Sequence, residues 1–171
     1  MDYTCQTTTN WFRVTDRRPF EVLDDESYTG TRDPKTLGFD PYVLVAAGPV
    51  SIDVDRCDLK DPSALPEVRI SIDGSVDGII RDADIPEGFS ASDIGADNPD
   101  AFDDLVNLIQ TYIDPTDACI LLWVGQEGLR YLDGGYTVIT KTGVTSHRIV
   151  DDAVDTAKHL LGNDDYQTTI Y

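Results

Sequence analysis

Cysteine, lysine and histidine are scarce in this sequence of 171 residues, which holds three, four and two of them. The cysteines, at positions 5, 57 and 119, are odd in number and far apart, so they fit neither a disulfide framework nor a zinc knuckle. The longest apolar run, residues 118–124, has seven residues, whereas a membrane span needs roughly 20. The N-terminal residues show no basic or apolar region of a signal peptide. We therefore expect free thiols, no membrane association and a cytoplasmic location.

Residue patterns for catalysis are also missing. Ser146 and His147 are adjacent on a predicted strand, where they would point to opposite faces and could not act as nucleophile and base. His159 lies near the end of a predicted helix, where a protonated ring suits the helix dipole. No Gly-rich phosphate loop, His-Glu-x-x-His or Cys-x-x-Cys motif occurs. We expect a protein that is not an enzyme and holds no cofactor, and we predict that Cys119, Trp11 and Trp123 belong to the core.

Acidic residues are abundant, and they are concentrated in the middle of the chain. Between positions 61 and 117 fourteen acidic residues face only Arg69 and Arg81, a local net charge of −12 out of −19 for the whole chain. A field of this sign repels nucleic acid and anionic membranes, and it attracts basic surfaces. The sequence therefore excludes direct nucleic-acid binding and favours a basic partner.

Two causes could produce this acidity. Asp outnumbers Glu 27 to 5, and a cytoplasm with high salt favours acidic, lysine-poor surfaces over the whole molecule. A protein that imitates a polyanion needs its acids on one face instead. The clustering along the chain favours the second cause, although clustering in sequence is not clustering in space.

The hydrophobic pattern predicts one α+β domain over residues 1–171. Residues 50–54 and 68–72 alternate apolar and polar, which is typical of half-buried strands, and residues 42–47, 118–124 and 136–140 are apolar runs typical of buried ones. Short turns between the late strands indicate antiparallel pairing. We predict a largely antiparallel sheet with two main helices packed on one face, and a polar tail over residues 163–171 for which disorder is one expectation.

The best helix signal begins at Asn98-Pro99. Asn suits the cap, Pro the first position and acidic residues the first turn. An apolar stripe then follows at helical spacing, formed by Phe102, Leu105, Val106, Ile109 and Ile113. A second helix is predicted from Asp151 to a stop at Gly162.

Both ends of the chain resemble one loosely defined family. The stretch at 124–132 (Val-Gly-Gln-Glu-Gly-Leu-Arg-Tyr-Leu), then Gly135-Tyr136 and Asp151-Asp152 at the last helix, resembles small acidic proteins carried by plasmids, phages and other mobile elements of bacteria and archaea. The stretch at 9–14 (Thr-Asn-Trp-Phe-Arg-Val) resembles that family's first strand. The resemblance covers about sixty residues. It implies a mobile-element setting but no mechanism, and Arg130 within it is interpreted as an internal ion-pair anchor.

Residues 73–84 resemble the calcium loop of an EF-hand. Asp73, Ser75, Asp77 and Asp84 supply oxygen at positions 1, 3, 5 and 12, and Gly78 stands at position 6. The final Asp is short, and a strand pattern precedes the loop where a helix is required. The alternative is an acidic turn in which Asp77-Gly78 closes a hairpin.

These observations lead to a function hypothesis. We predict a non-enzymatic inhibitor that presents aspartates as a nucleic-acid mimic to a basic nucleic-acid-binding protein, such as a host nuclease or CRISPR effector. The alternatives are a salt-adapted acidic accessory domain and the calcium module. A homodimer would lengthen the acidic face. The predicted partner-binding residues are Asp73, Asp77, Asp82, Asp84, Glu87, Asp93, Asp97, Asp100, Asp103 and Asp104.

Overall fold

A computed structural model describes residues 3–24, 28–55, 64–94, 98–127 and 131–168 of the chain. The strands, in chain order, are β1 (Tyr3–Thr9), β2 (Phe12–Arg13), β3 (Tyr42–Ala46), β4 (Val50–Asp55), β5 (Glu67–Asp73), β6 (Val76–Arg81), β7 (Cys119–Glu127), β8 (Tyr131–Ile139) and β9 (Val144–Arg148). The helices are α1 (Arg18–Glu21), α2 (Pro34–Leu37), α3 (Ala91–Ile94), α4 (Ala101–Tyr112) and α5 (Ile149–Leu161). Within these residues no helix combines the length and the apolar composition that a membrane crossing requires.

Seven strands form one antiparallel sheet. β5 pairs with β4 on one side and with β1 and β2 on the other, and β1 continues through β7 and β8 to β9. The alternation predicted for β5 is confirmed, because Val68, Ile70 and Ile72 are buried while Arg69 and Ser71 are partly exposed. The α+β class with a mostly antiparallel sheet is confirmed.

Helix α4 fills the centre of the core, in the phase that its apolar stripe predicts. Leu105 and Ile109 are fully buried and Val106 nearly so, while Asp103 and Asn107 are exposed. The helix begins at Ala101 with Asp100 as its N-cap, two residues later than the sequence signal. Asn98 instead closes the preceding turn, where its Oδ1 accepts the Asp100 N–H at 3.0 Å.

A second, two-stranded sheet of β3 and β6 covers α4 from the other side. Leu44 and Ile79 pair across it and belong to the main core, whereas Val43 and Ile80 face a small cluster with Ala91 of α3. β5 and β6 are neighbours in sequence but belong to different sheets. Residues 73–76 are therefore a crossing between sheets, and the hairpin expected at Asp77-Gly78 is wrong, because both residues lie within β6.

The second long helix, α5, lies on the opposite face of the main sheet from α4. Tyr136 of β8 and His147 of β9 are paired across the two strands, and both side chains contact the Asp152 carboxylate of α5. Their face is that of Leu122, whereas α4 packs on the face of Leu121. The two long helices were expected on one face of the sheet, and the structure places them on opposite faces. The apolar pattern of a helix does not indicate on which side of a sheet the helix packs.

Because α5 mainly contacts β8 and β9, the same face of β7 stays partly open. Ile120, Leu122 and Val124 are 41–44% exposed, so the prediction that residues 118–124 form a buried strand is wrong for these three residues, although Cys119 and Leu121 are fully buried. Trp11 is 39% exposed, between β1 and β2, with the Arg69 guanidinium 4.9 Å from its ring centroid. It is not a core residue, whereas Cys119 is fully buried as expected.

Candidate partner-binding surface

Asn98 joins three of the predicted acidic residues at the start of β6 and the start of α4. Its N–H donates to the Asp77 carbonyl at 3.1 Å, its Oδ1 accepts the Asp100 N–H, and its Nδ2 lies 3.4 Å from Asp104 Oδ2. Asp103, on the same helical turn, is exposed. We call Asp77, Asp100, Asp103 and Asp104 the acidic surface. None of these four forms an ion pair with a lysine or arginine of the described chain.

The acids at the other end of β6 are in a different electrostatic state. Asp84 binds Arg81 at 3.0 Å, and this hydrogen bond holds the pKa of the Asp84 carboxyl below its usual value. Asp82 lies 3.9 Å from the Arg32 guanidinium. These two predicted contact residues are therefore partly neutralised by the protein's own arginines, which a count along the sequence cannot detect. Glu87, three positions after Asp84 in the sequence, is exposed.

The remaining predicted residues do not join the acidic surface by any described contact. Asp93 accepts hydrogen bonds from the Ser90 N–H and hydroxyl at 2.8 and 2.9 Å, which lower the pKa of its carboxyl and close the first turn of α3. Asp73 is exposed at the end of β5 and pairs with Gln6. Asp97 lies outside the described residues. The nine described acids thus separate into an unpaired group at the starts of β6 and α4, a partly paired group at the end of β6, and isolated positions.

Asp40 is a neighbour of the acidic surface that sequence reasoning missed. It lines a cavity of about 480 Å³ between α4 and the β3–β6 sheet, together with Asp104, Tyr42, Ile79 and Leu108. Asp40 lies 64 positions from Asp104 in the sequence, so only the packing of the β3–β6 sheet against α4 brings them to one cavity.

The EF-hand resemblance of residues 73–84 is not matched by the geometry. Residues 76–81 are a continuous strand, which at the usual rise spans about 17 Å. Asp73 and Asp77 are therefore held away from Asp84, while Ser75 Oγ binds Asp77 Oδ1 at 3.0 Å. In the described parts of the chain, no group of three His, Cys, Asp or Glu residues is placed to hold a metal ion. The calcium hypothesis for these residues is corrected accordingly.

The two described cysteines and the Ser146–His147 pair are the candidates for nucleophilic chemistry in the described residues. Burial raises the pKa of the Cys119 thiol to about 12 and also raises that of Cys5, so both stay protonated near neutral pH. Ser146 bonds Thr137 at 2.9 Å on one face of β9, whereas His147 stacks on Tyr136 on the other. The two side chains are separated as predicted. Cys57 and Arg130 lie outside the described residues.

A scan against protein-family models finds no match, and searches of curated proteins and of solved structures find no significant match.

Proposed function

We propose that this protein is a non-enzymatic binding protein whose acidic surface occupies the nucleic-acid site of a basic partner, as a polyanion mimic from a mobile element would. The observation that carries the proposal is the arrangement around Asn98. Asn98 hydrogen-bonds the backbone of Asp77 and of Asp100 and the carboxylate of Asp104, so it joins the start of β6 to the start of α4. Within the described residues, none of these three acids pairs with a lysine or an arginine.

The contrast with the other central acids supports this assignment. Asp114 and Asp117 lie within 3.5 Å of Arg13, and Asp82 and Asp84 have arginine partners as well. Internal pairing reduces the field that these acids project. Asp77, Asp100, Asp103 and Asp104 have no lysine or arginine partner among the described residues, so they are the residues through which a basic surface would be attracted and oriented.

A capture experiment with two matched variants tests the proposal. The first variant replaces the acidic surface (Asp77→Asn, Asp100→Asn, Asp103→Asn, Asp104→Asn). The control variant replaces four exposed acids of α5 and the tail, Asp151, Asp155, Asp164 and Asp165, by Asn. Both remove four charges, and Asn keeps the N-cap preference at position 100.

Each protein is immobilised and exposed to host lysate. Wild type and the control variant should retain a basic nucleic-acid enzyme, and rising salt should release it. The acidic-surface variant should lose it. Purified wild type should then displace DNA from that enzyme. Two results would contradict the proposal. One is equal capture by all three proteins, and the other is a captured enzyme from which purified wild type does not displace DNA.

A further inference from the structure

An apolar groove opens directly beside the acidic surface. It has a volume of about 390 Å³ and lies on the α4 side of the main sheet, between the first turn of α4 and strands β1, β7, β8 and β9. Its walls include Val76 of β6, Phe102 of α4, Trp123 of β7, and the hydroxyl-bearing Thr7, Thr137 and Ser146. In a protein with 32 acidic residues, none of the described residues lining this groove is charged.

The floor of the groove depends on a glycine. A Cβ at Gly135 would fall 2.5 and 2.7 Å from two ring atoms of Trp123, so the indole occupies the space above the β8 backbone that a side chain would take. Thr137 and Ser146 bond each other through their hydroxyls at 2.9 Å. An aromatic wall and satisfied hydroxyls make a surface that an uncharged, flat side chain would dehydrate at low cost.

The groove and the acidic surface are in contact. Ser75, which lines the groove, holds the Asp77 carboxylate at 3.0 Å. Phe102 lies on α4 between Asp100 and Asp103. An occupant of the groove would therefore have carboxylates within reach on at least one side, while the groove itself would accept no charge.

We propose that the groove receives one large apolar side chain, aromatic by preference, from a basic segment of the partner, whose flanking Lys or Arg residues meet the acidic surface. This inference rests on the proposed function and names the chemistry of the partner. Ser75 and Ser146 are exposed, so the groove is open, whereas a small ligand needs 70–90% of its surface covered. A side chain on a protein segment does not need an enclosed pocket, because the rest of the segment shields it from solvent. A second copy of this chain, at −19, has the wrong charge.

Three synthetic peptides test the inference without knowledge of the partner. The first carries a central Trp flanked by Arg and Lys, the second replaces that Trp by Ala, and the third keeps the Trp between Ser and Gly. Wild type should bind the first about tenfold or more tightly than either of the others, as an anchor residue in a pocket would require.

Two substitutions on β9 provide a matched pair. Ser146→Phe would fill the groove, and Thr145→Phe would place the same side chain on the opposite face, since Thr145 pairs with Val138 and Ser146 with Thr137. Both positions are exposed. Ser146→Phe should abolish the preference for Trp over Ala, and Thr145→Phe should keep it. Equal binding of the Trp and Ala peptides by wild type, or a preference that survives Ser146→Phe, would overturn the inference.

A readout on the wild-type protein avoids any dependence on how Ser146→Phe folds. Nitrogen-15 spectra resolve indole signals, and the chain has two tryptophans. The Trp-containing basic peptide should shift the Trp123 indole signal and leave that of Trp11, which lies beside Arg69 on the opposite face, in place. A shift of Trp11 alone, or of neither signal, would contradict the groove.

The acidic-surface variant separates this inference from the proposed function. Suppose that wild type binds the basic Trp and Ala peptides equally and that the acidic-surface variant binds both more weakly. The groove is then rejected and the proposed function stands. If the acidic-surface variant binds both basic peptides as tightly as wild type does, the proposed function fails. Equal affinity of wild type for the neutral and basic Trp peptides would show that groove and acids act independently, which overturns the inference.

Discussion

At the scale of single residues, the core sets the largest energetic effects. Leu105 has no exposed surface, and it lies between the main sheet and the β3–β6 sheet. Leu105→Ala should lower the free energy of unfolding by about 2–5 kcal/mol, because a cavity remains after the lost apolar contacts. Urea denaturation measures this loss. Asn107→Ala, on the exposed side of α4, is the control and should change stability by less than about 0.5 kcal/mol; similar losses for both would mean that the helix phase is wrong.

Gly135 is the residue whose replacement tests the close packing of β8. An added methyl group would meet the Trp123 ring and, at 2.3 Å, the His147 carbonyl oxygen. Gly135→Ala should therefore cost about 1–3 kcal/mol through overpacking and should change the near-ultraviolet circular dichroism of Trp123. At Gly143 the nearest atom would be 3.8 Å away, so Gly143→Ala should leave the spectrum unchanged. An unchanged spectrum in Gly135→Ala would show that the indole does not lie there.

At the scale of elements, local patterns predicted the two long helices and several strands, but not β6 or the neighbours of these elements in space. The caps and stripe of α4 and the alternation of β4 and β5 depend on residues close in sequence, and these predictions agree with the structure to within one or two residues. The exposure of Ile120, Leu122 and Val124 depends on where α5 lies, about thirty positions later. The Asp40–Asp104 cavity and the apolar groove likewise combine distant segments, so no local pattern identifies them.

Helix α5 has no fully buried residue, and polar contacts join it to β8 and β9. The Tyr136 hydroxyl donates to Asp152 at 2.7 Å, and His147 Nδ1 lies 3.3 Å from the same carboxylate. Tyr136→Phe should speed amide hydrogen exchange in α5 by several fold without affecting α4, as expected for a unit of low local stability. Asp155→Asn, at an exposed position of α5, is the control and should leave the exchange rate in α5 unchanged. Equal exchange in α5 for wild type and Tyr136→Phe would show that apolar contacts hold the helix.

The same contact gives α5 a dependence on alkaline pH. The hydrogen bond to Asp152 raises the pKa of the Tyr136 phenol above its ordinary value of about 10. A raised pKa in the folded state means that this stabilisation is complete below pH 10 and is lost as the pH rises through the folded pKa. Exchange in α5 should therefore become faster above about pH 10 relative to α4, and Tyr136→Phe should remove this pH-dependent difference.

At the scale of the whole molecule, acidity serves either binding or adaptation to salt, and the two give different stabilities at low ionic strength. The main core joins α1, α4 and both sheets through fully buried apolar residues such as Phe12, Phe20 and Ile109. Such burial does not depend on salt. Repulsion among exposed carboxylates does, because the screening length rises from about 8 Å at 0.15 M to about 30 Å at 0.01 M ionic strength.

We therefore expect wild type to remain folded at 10 mM KCl, with a melting temperature no more than about 10 °C below its value at 150 mM, since about 1 kcal/mol corresponds to 2–4 °C in a domain of this size. Scanning calorimetry over a KCl series measures this, and the response should level off once screening is complete. Unfolding at 10 mM, or a melting temperature that still rises between 1 and 3 M, is the behaviour of a salt-adapted domain. In that case the unpaired carboxylates around Asn98 would be part of a general surface composition, and the acidic-surface variant and its α5-and-tail control would show the same salt dependence.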